Sequence, residues 1–254
     1  MTRRSLATAV LAAAATAGTG AHAGPPPPAR GKERIALLVY PGFTALDLFG
    51  PHNMLSGLLP EKLDLVARTP EPVTTDTGVK ILPSATFADI APGLDVLFVP
   101  GGTKGTLAAM QDDATRAFVA RHGETARYVT SVCTGSLILG AAGLLRGYRA
   151  TSHWVTREIL PEFGAEPVEA RVVVDRNRVT GAGVSAGLDL GLTLVGLLRD
   201  PGYAQRVQLV AEYDPHPPFD AGTPAKAPAD VTADMRAMFA PFAAEARKVA
   251  QALK

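Results

Sequence analysis

One stretch constrains the fold more than any other: residues 128–154, YVTSVCTGSLILGAAGLLRGYRATSHW. Its first five residues are short, β-branched and apolar, and read as a buried strand. Cys133, the single cysteine of the chain, comes next. Thr134, Gly135 and Ser136 are small and able to cap, and residues 137–145 read as a helix closed by Gly147. The cysteine therefore falls on a sharp strand-to-helix turn, the device by which a nucleophile elbow exposes a side chain at the end of a sheet. Amides in the first turn of a helix lack intrahelical partners and carry partial positive charge. A thiol placed there is expected to titrate below its free value of about 8.5. The pattern points to Cys133 as a nucleophile held as thiolate; the competing reading is a buried structural cysteine.

The elements around this elbow alternate. Residues 34–40 read as a strand broken by Pro41-Gly42-Phe43, residues 44–59 as a helix, and residues 62–68 as a second strand. Residues 73–82 read as a hairpin or edge pair around Asp76-Thr77-Gly78, and residues 94–99 as a strand ending in Pro100-Gly101-Gly102. Helices are expected over 111–122, 153–163 and 183–198, with a hairpin turning at Asp175-Arg176-Asn177. Strands alternating with helices predict an α/β fold: a mostly parallel sheet sandwiched by helices, flavodoxin-like, with its site at the carboxyl ends of the strands.

The termini read differently. Arg3 and Arg4 precede an Ala-rich apolar run over residues 6–15, and Ala21-His22-Ala23 has the small-x-small form of a cleavage site. Residues 1–23 are therefore expected to be a signal peptide, with a twin-arginine look, that takes the protein to the periplasm or outside the cell. Residues 24–33, with four consecutive prolines, read as a stiff linker. Residues 34–215 form the expected catalytic domain. Residues 216–254 form an extension whose helix carries one apolar stripe, Val231, Met235, Met238, Phe239, Phe242, Ala246 and Val249. A net charge of +1 gives no electrostatic case for nucleic acid or an anionic membrane surface. A lone thiol in an exported chain calls for an explanation, since no intramolecular disulfide can use it.

Three strand ends carry the candidates: 40–42, 100–103 and 133–135. Gly101 and Gly102 could present bare amides to a developing negative charge, as an oxyanion hole does, or could simply turn the chain. Asp47 is a carboxylate among Leu46, Leu48 and Phe49 near a helix start. Burial and a neighbouring thiolate would raise its pKa and leave it able to donate a proton; an exposed acid favoured by the helix dipole is the alternative. His52, His122, His153 and His216 are scattered, so no metal site is expected, and no cofactor fingerprint is present. Thr134 stands directly after the cysteine, which leaves no histidine base there.

These motifs resemble the ThiJ/PfpI superfamily, with its class I glutamine amidotransferase-like fold, and within it the branch of isonitrile (isocyanide) hydratases. The resemblance rests on 41–51, 99–102, 132–135 with 150–154, and 212–220, which together span most of residues 34–225. Peptidase and glyoxalase relatives usually have histidine after the cysteine and glutamate as the acidic partner; Thr134 and Asp47 stand here instead. The resemblance implies a lyase that hydrates isonitriles to N-substituted formamides through a thioimidate. In it Cys133 attacks the terminal carbon, Asp47 supplies the proton and Thr134 assists through its hydroxyl or its amide. It also implies a homodimer acting on a small molecule. The same domain serves in relatives as the sensing half of transcriptional regulators, so a non-catalytic binding protein is the alternative, as is a hydrolase or glyoxalase-like enzyme acting on another electrophile.

Overall fold

The computed structural model describes residues 30–253; the expected signal peptide and most of the expected linker lie outside the described residues. The chain opens with β1 (Arg34–Leu38), α1 (Ala45–Ser56) and β2 (Lys62–Ala67). A small hairpin, β3 (Val73–Thr74) and β4 (Lys80–Ile81), turns where Asp76-Thr77-Gly78 predicted it. Then come β5 (Ala85–Thr86), β6 (Val96–Val99), α2 (Lys104–Gln111), α3 (Asp113–Gly123), β7 (Tyr128–Val132) and α4 (Gly135–Ala141). Short strands β8 (Arg149–Ala150) and β9 (Glu166–Pro167) flank a 3-10 helix over Arg157–Phe163. Finally β10 (Val172–Asp175) and β11 (Arg178–Gly181) precede α5 (Ala186–Leu198), α6 (Pro201–Val210) and α7 (Ala229–Ala252).

Seven strands form the main sheet in the order β10-β11-β7-β6-β1-β2-β5. Every pairing is parallel except β10 with β11, an edge hairpin. The central strands read as apolar runs because both faces are covered. Helices α1, α5 and α6 pack together on one side, and α2, α3, α4, the 3-10 helix and α7 on the other. The chain moves outward from β1 to β2 and β5, then returns to β6 on the other side of β1. That reversal makes β1/β6 the switch point where open α/β sheets hold ligands.

The α1 and α5 layers approach closely because α5 has no side chain at the crossing. A Cβ on Gly191 would lie 2.7 Å from Met54 Cβ, and one on Gly187 2.9 Å from Pro51 Cδ. This contact presses the start of α1, and with it Asp47, against the carboxyl ends of the strands.

Several expected elements come out differently. The helix expected over 111–122 is α3, which starts at Asp113 because Asp112 is extended and caps it, accepting from Thr115 N–H at 2.8 Å; α2, directly before it, was not expected. The helix expected over 137–145 ends at Ala141, and Gly143, at φ +77°, turns the chain out of it. The α-helix expected over 153–163 is a 3-10 turn starting at Arg157. Pro161 inside it has no N–H to donate, and Gly164 closes it in the left-handed region. The linker expected to reach residue 33 is docked at its end: Gly31 N–H donates to the Leu59 carbonyl at 2.8 Å, and buried Glu33 pairs with Arg199. The terminal stripe divides. Ala246, Val249 and Ala250 are buried and Phe239 packs on His153 and Trp154, whereas Val231, Met235 and Met238 stay exposed.

Candidate active site

The sheet brings all five residues singled out in the sequence to one place. Cys133 sits between β7 and α4 at φ +59°, a left-handed conformation that a non-glycine residue adopts only when its surroundings enforce it. They do so by gripping its peptide groups. Cys133 N–H donates to the Ala182 carbonyl at 2.7 Å. The Cys133 carbonyl accepts from His153 N–H at 3.3 Å, from Ser152 Oγ at 3.1 Å and from Ser136 Oγ at 3.3 Å. Ser136 and Ser152 were not singled out from sequence, because a hydroxyl that donates to a backbone carbonyl leaves no pattern.

Asp47 is fully buried on the first turn of α1. Its Oδ2 accepts from Gly101 N–H at 2.9 Å, and its Oδ1 has no N–H or O–H donor among the described residues. Burial pushes this carboxyl up to about 7, against the pull of the Gly101 amide and of the Cys133 thiol that donates to it. The Cys133 thiol is pushed up as well, well above its ordinary value, first by burial and then by the Asp47 charge. The Thr134 amide and hydroxyl work the other way but do not win. The expected low-pKa thiolate is therefore corrected: α4 spans only seven residues, and desolvation outweighs what its N-terminus supplies. Near neutral pH the carboxyl passes between its protonated and ionised forms beside a thiol that keeps its proton, and the two groups titrate as a pair.

The diglycine is corrected too. Neither amide is bare: Gly101 N–H is taken by Asp47, and Gly102 N–H donates to Thr134 Oγ1 at 2.9 Å. Gly101 has a steric reason to be glycine. A Cβ there would lie 2.5 Å from Thr134 N, 2.7 Å from Thr134 Oγ1 and 2.8 Å from Asp47 Oδ2. The two glycines let the acid and the residue after the nucleophile close on one another across the end of β6. Thr134 bears on the Cys133 thiol through both its amide and its hydroxyl, and the hydroxyl also donates to the Gly102 carbonyl at 2.5 Å.

A cavity of about 470 Å³ opens beside this cluster, lined by Leu46, Ser152, His153, Trp154, Gly183 and Val184 among others. Two arginines on its wall are already matched, Arg157 with Glu169 at 2.9 Å and Arg171 with Asp189. His153 is held neutral, burial bringing its pKa down to about 4, and its Nδ1 accepts from Val155 N–H at 3.4 Å. The cavity therefore offers no uncompensated charge from these groups. Among the described residues, no group of three or more His, Cys, Asp and Glu side chains is placed to hold a metal ion, and no helix is long and apolar enough to cross a membrane.

Comparison with known proteins agrees with this architecture. Residues 33–197 match the DJ-1/PfpI family. The chain is 48% identical to the isonitrile hydratase of Pseudomonas putida over 208 residues, covering 82% of this chain and 90% of that protein. A crystal structure of a ThiJ/PfpI family protein from Pseudomonas syringae superposes with a TM-score of 0.85 at 56% identity, covering 87% of this chain and 91% of that one. The HTH-type transcriptional regulator GbdR of Pseudomonas aeruginosa is 31% identical over 181 residues, but these span only 48% of its length.

Proposed function

The chain belongs to the DJ-1/PfpI family, and from that premise we propose that it hydrates isonitriles to N-substituted formamides, with Cys133 as nucleophile and Asp47 as the group that moves the proton. The observation that carries this reading is the buried carboxyl, near pKa 7, paired with the only thiol in the chain. The similarity to the Pseudomonas putida hydratase over most of both chains supports it.

The working form is the pair with one proton. As the sulfur of Cys133 closes on the terminal carbon of R–N≡C, the thiol proton passes to Asp47, and Asp47 delivers it to that same carbon. A C–S bond and a C–H bond form, and the product is the thioimidate R–N=CH–S-Cys133, with Asp47 again a carboxylate. Water then adds to the imidate carbon while a proton goes to nitrogen. Collapse of the adduct breaks the C–S bond, returns the thiol and releases R–NH–CHO. The Thr134 amide sits at the sulfur and steadies the charge it carries at attack and departure. A homodimer and a place outside the cytoplasm belong to the same proposal.

The test is formamide production from a small panel of isonitriles, with Cys133→Ala as control. Formamide that depends on Cys133 is the expected result. A wild type that binds isonitriles without turnover would instead mark a binding protein of the kind that regulators contain, and turnover unchanged in Cys133→Ala would remove the mechanism.

A further inference from the structure

We propose that Tyr40 and Thr106, which touch neither Cys133 nor Asp47 by a hydrogen bond, are positioning residues that set the acidity of the two. The proposal rests on Cys133 and Asp47 being the reacting pair.

Tyr40 lies just beyond β1, and Thr106 on the first turn of α2; both are buried. Tyr40 Oη donates to the Pro100 carbonyl at 2.8 Å. That carbonyl and the Gly101 N–H belong to one planar trans peptide unit, so they point in opposite directions. Tyr40 holds one end of the plate, and Asp47 Oδ2 takes the other at 2.9 Å. Any rotation of the plate that Tyr40 prevents would tilt the Gly101 N–H off the carboxylate. The next plate is clamped in the same manner: the Gly101 carbonyl accepts from Thr44 N–H at 2.8 Å, and Gly102 N–H reaches Thr134 Oγ1.

Thr106 completes the second plate. Its Oγ1 lies 2.8 Å from Thr134 Oγ1, 3.1 Å from Tyr40 Oη and 3.1 Å from the Gly102 carbonyl. Each hydroxyl has a single proton. Tyr40 gives its proton to Pro100 and Thr134 gives its own to Gly102, the shortest contact in the group. Thr106 has one proton for two acceptors, the Gly102 carbonyl and Thr134 Oγ1, and the latter already accepts from Gly102 N–H. When the Thr106 proton goes to Thr134, that hydroxyl accepts two bonds, donates one and is saturated. Its one proton is committed to the Gly102 carbonyl, and its side chain is held in one orientation beside the sulfur. That lock aims the Thr134 backbone amide at Cys133. Burial keeps the Tyr40 phenol protonated across the working range, so it acts as a fixed donor.

The two residues have separable effects. Tyr40→Phe keeps the ring and removes the clamp on Pro100, which weakens the amide on the Asp47 carboxylate and raises the Asp47 pKa further. Thr106→Val keeps the shape and leaves Thr134 short of a donor, which loosens the amide on sulfur and raises the thiol. The measurement is the rate of iodoacetamide alkylation of Cys133 as a function of pH on the intact chain. In Tyr40→Phe the inflection near pH 7 should move upward. In Thr106→Val the neutral-pH rate should fall roughly three- to tenfold, the size of one hydrogen bond, and Thr106→Ser should restore it. An unmoved inflection in Tyr40→Phe, a wild-type rate in Thr106→Val, or a serine as impaired as the valine would overturn the assignment. Tyr40→Phe decides the matter even where Thr106→Val does not fold. Alkylation needs no isonitrile, so a wild type that makes no formamide refutes the hydratase reading while these profiles still decide the positioning.

Discussion

Asp47→Asn should move stability and activity in opposite directions. The carboxyl titrates near 3.8 in an unfolded chain and near 7 when buried here. Between those values the folded state holds a proton that the unfolded state has released. The stability this group contributes is therefore fully present below about pH 4 and is lost as pH rises toward 7. At about 1.4 kcal/mol per pH unit, the loss between pH 5 and pH 7 is about 3 kcal/mol, and it levels off above that. Asparagine keeps an oxygen for the Gly101 amide and carries no charge to desolvate. The variant should thus gain on the wild type by up to about 3 kcal/mol between pH 5 and pH 7, several degrees in melting temperature for a chain this size. Formamide turnover should meanwhile fall by about 10²–10⁴, the contribution of a positioned proton-transfer group. Thermal melts at pH 5, 6, 7 and 8 beside the formamide assay check both halves. A stability difference that does not change with pH would refute the buried-carboxyl argument, and full turnover in the variant would refute the proton's route.

Three further outcomes follow from the geometry. kcat/KM should rise with pH around a midpoint near 7, as Asp47 gives up the second proton of the pair; a flat profile from pH 5 to 8 would contradict this. Gly101→Ala drives a methyl to within 2.8 Å of Asp47 Oδ2 and 2.5 Å of Thr134 N, so it should cost about 1–3 kcal/mol of stability and about 100-fold in turnover, and activity within threefold of wild type would refute the packing argument. A homodimer is expected by light scattering. Leu209 and Val210, at 80% and 90% exposed on α6, are the apolar residues to be covered. Leu209→Asp with Val210→Asp should give a monomer if that face is the interface.

The sequence made the layered fold and the elbow legible because both are written in local patterns. β7 is an apolar run, Cys133 and Gly135 punctuate it, and the strand–helix alternation implies the parallel sheet. The β10–β11 hairpin is equally local, with Arg176 at φ +54° where the Asp175-Arg176-Asn177 signal placed the turn. What stayed hidden depends on residues far apart in the chain. α6 escaped because only Val207 on it is buried, which leaves no stripe to read. β5, β8 and β9 are two residues each, too short for a period of two to show. The occupation of the diglycine amides required side chains from α1 and from the elbow, 54 and 32 residues away. The thiol was misjudged for a related reason. A helix N-terminus can be read locally, whereas the burial that outweighs it comes from α1, β6, β7 and the loop after β11 together.

Those two corrections bear on the chemistry in the same direction. An acyl-transfer hydrolase builds negative charge on an oxygen and needs free donors where that oxygen will lie. Here both diglycine amides are spent, on Asp47 and on Thr134. A nucleophile that waits as thiolate suits a substrate that needs only an electron pair. An isonitrile carbon needs more, because sulfur and a proton must both reach the same atom. A thiol that yields its proton to a carboxyl near pKa 7, which can pass it on at once, answers that demand without an oxyanion hole. The burial that raises the Asp47 and Cys133 values together thus keeps the site uncharged at sulfur until a substrate is there to receive both the pair and the proton.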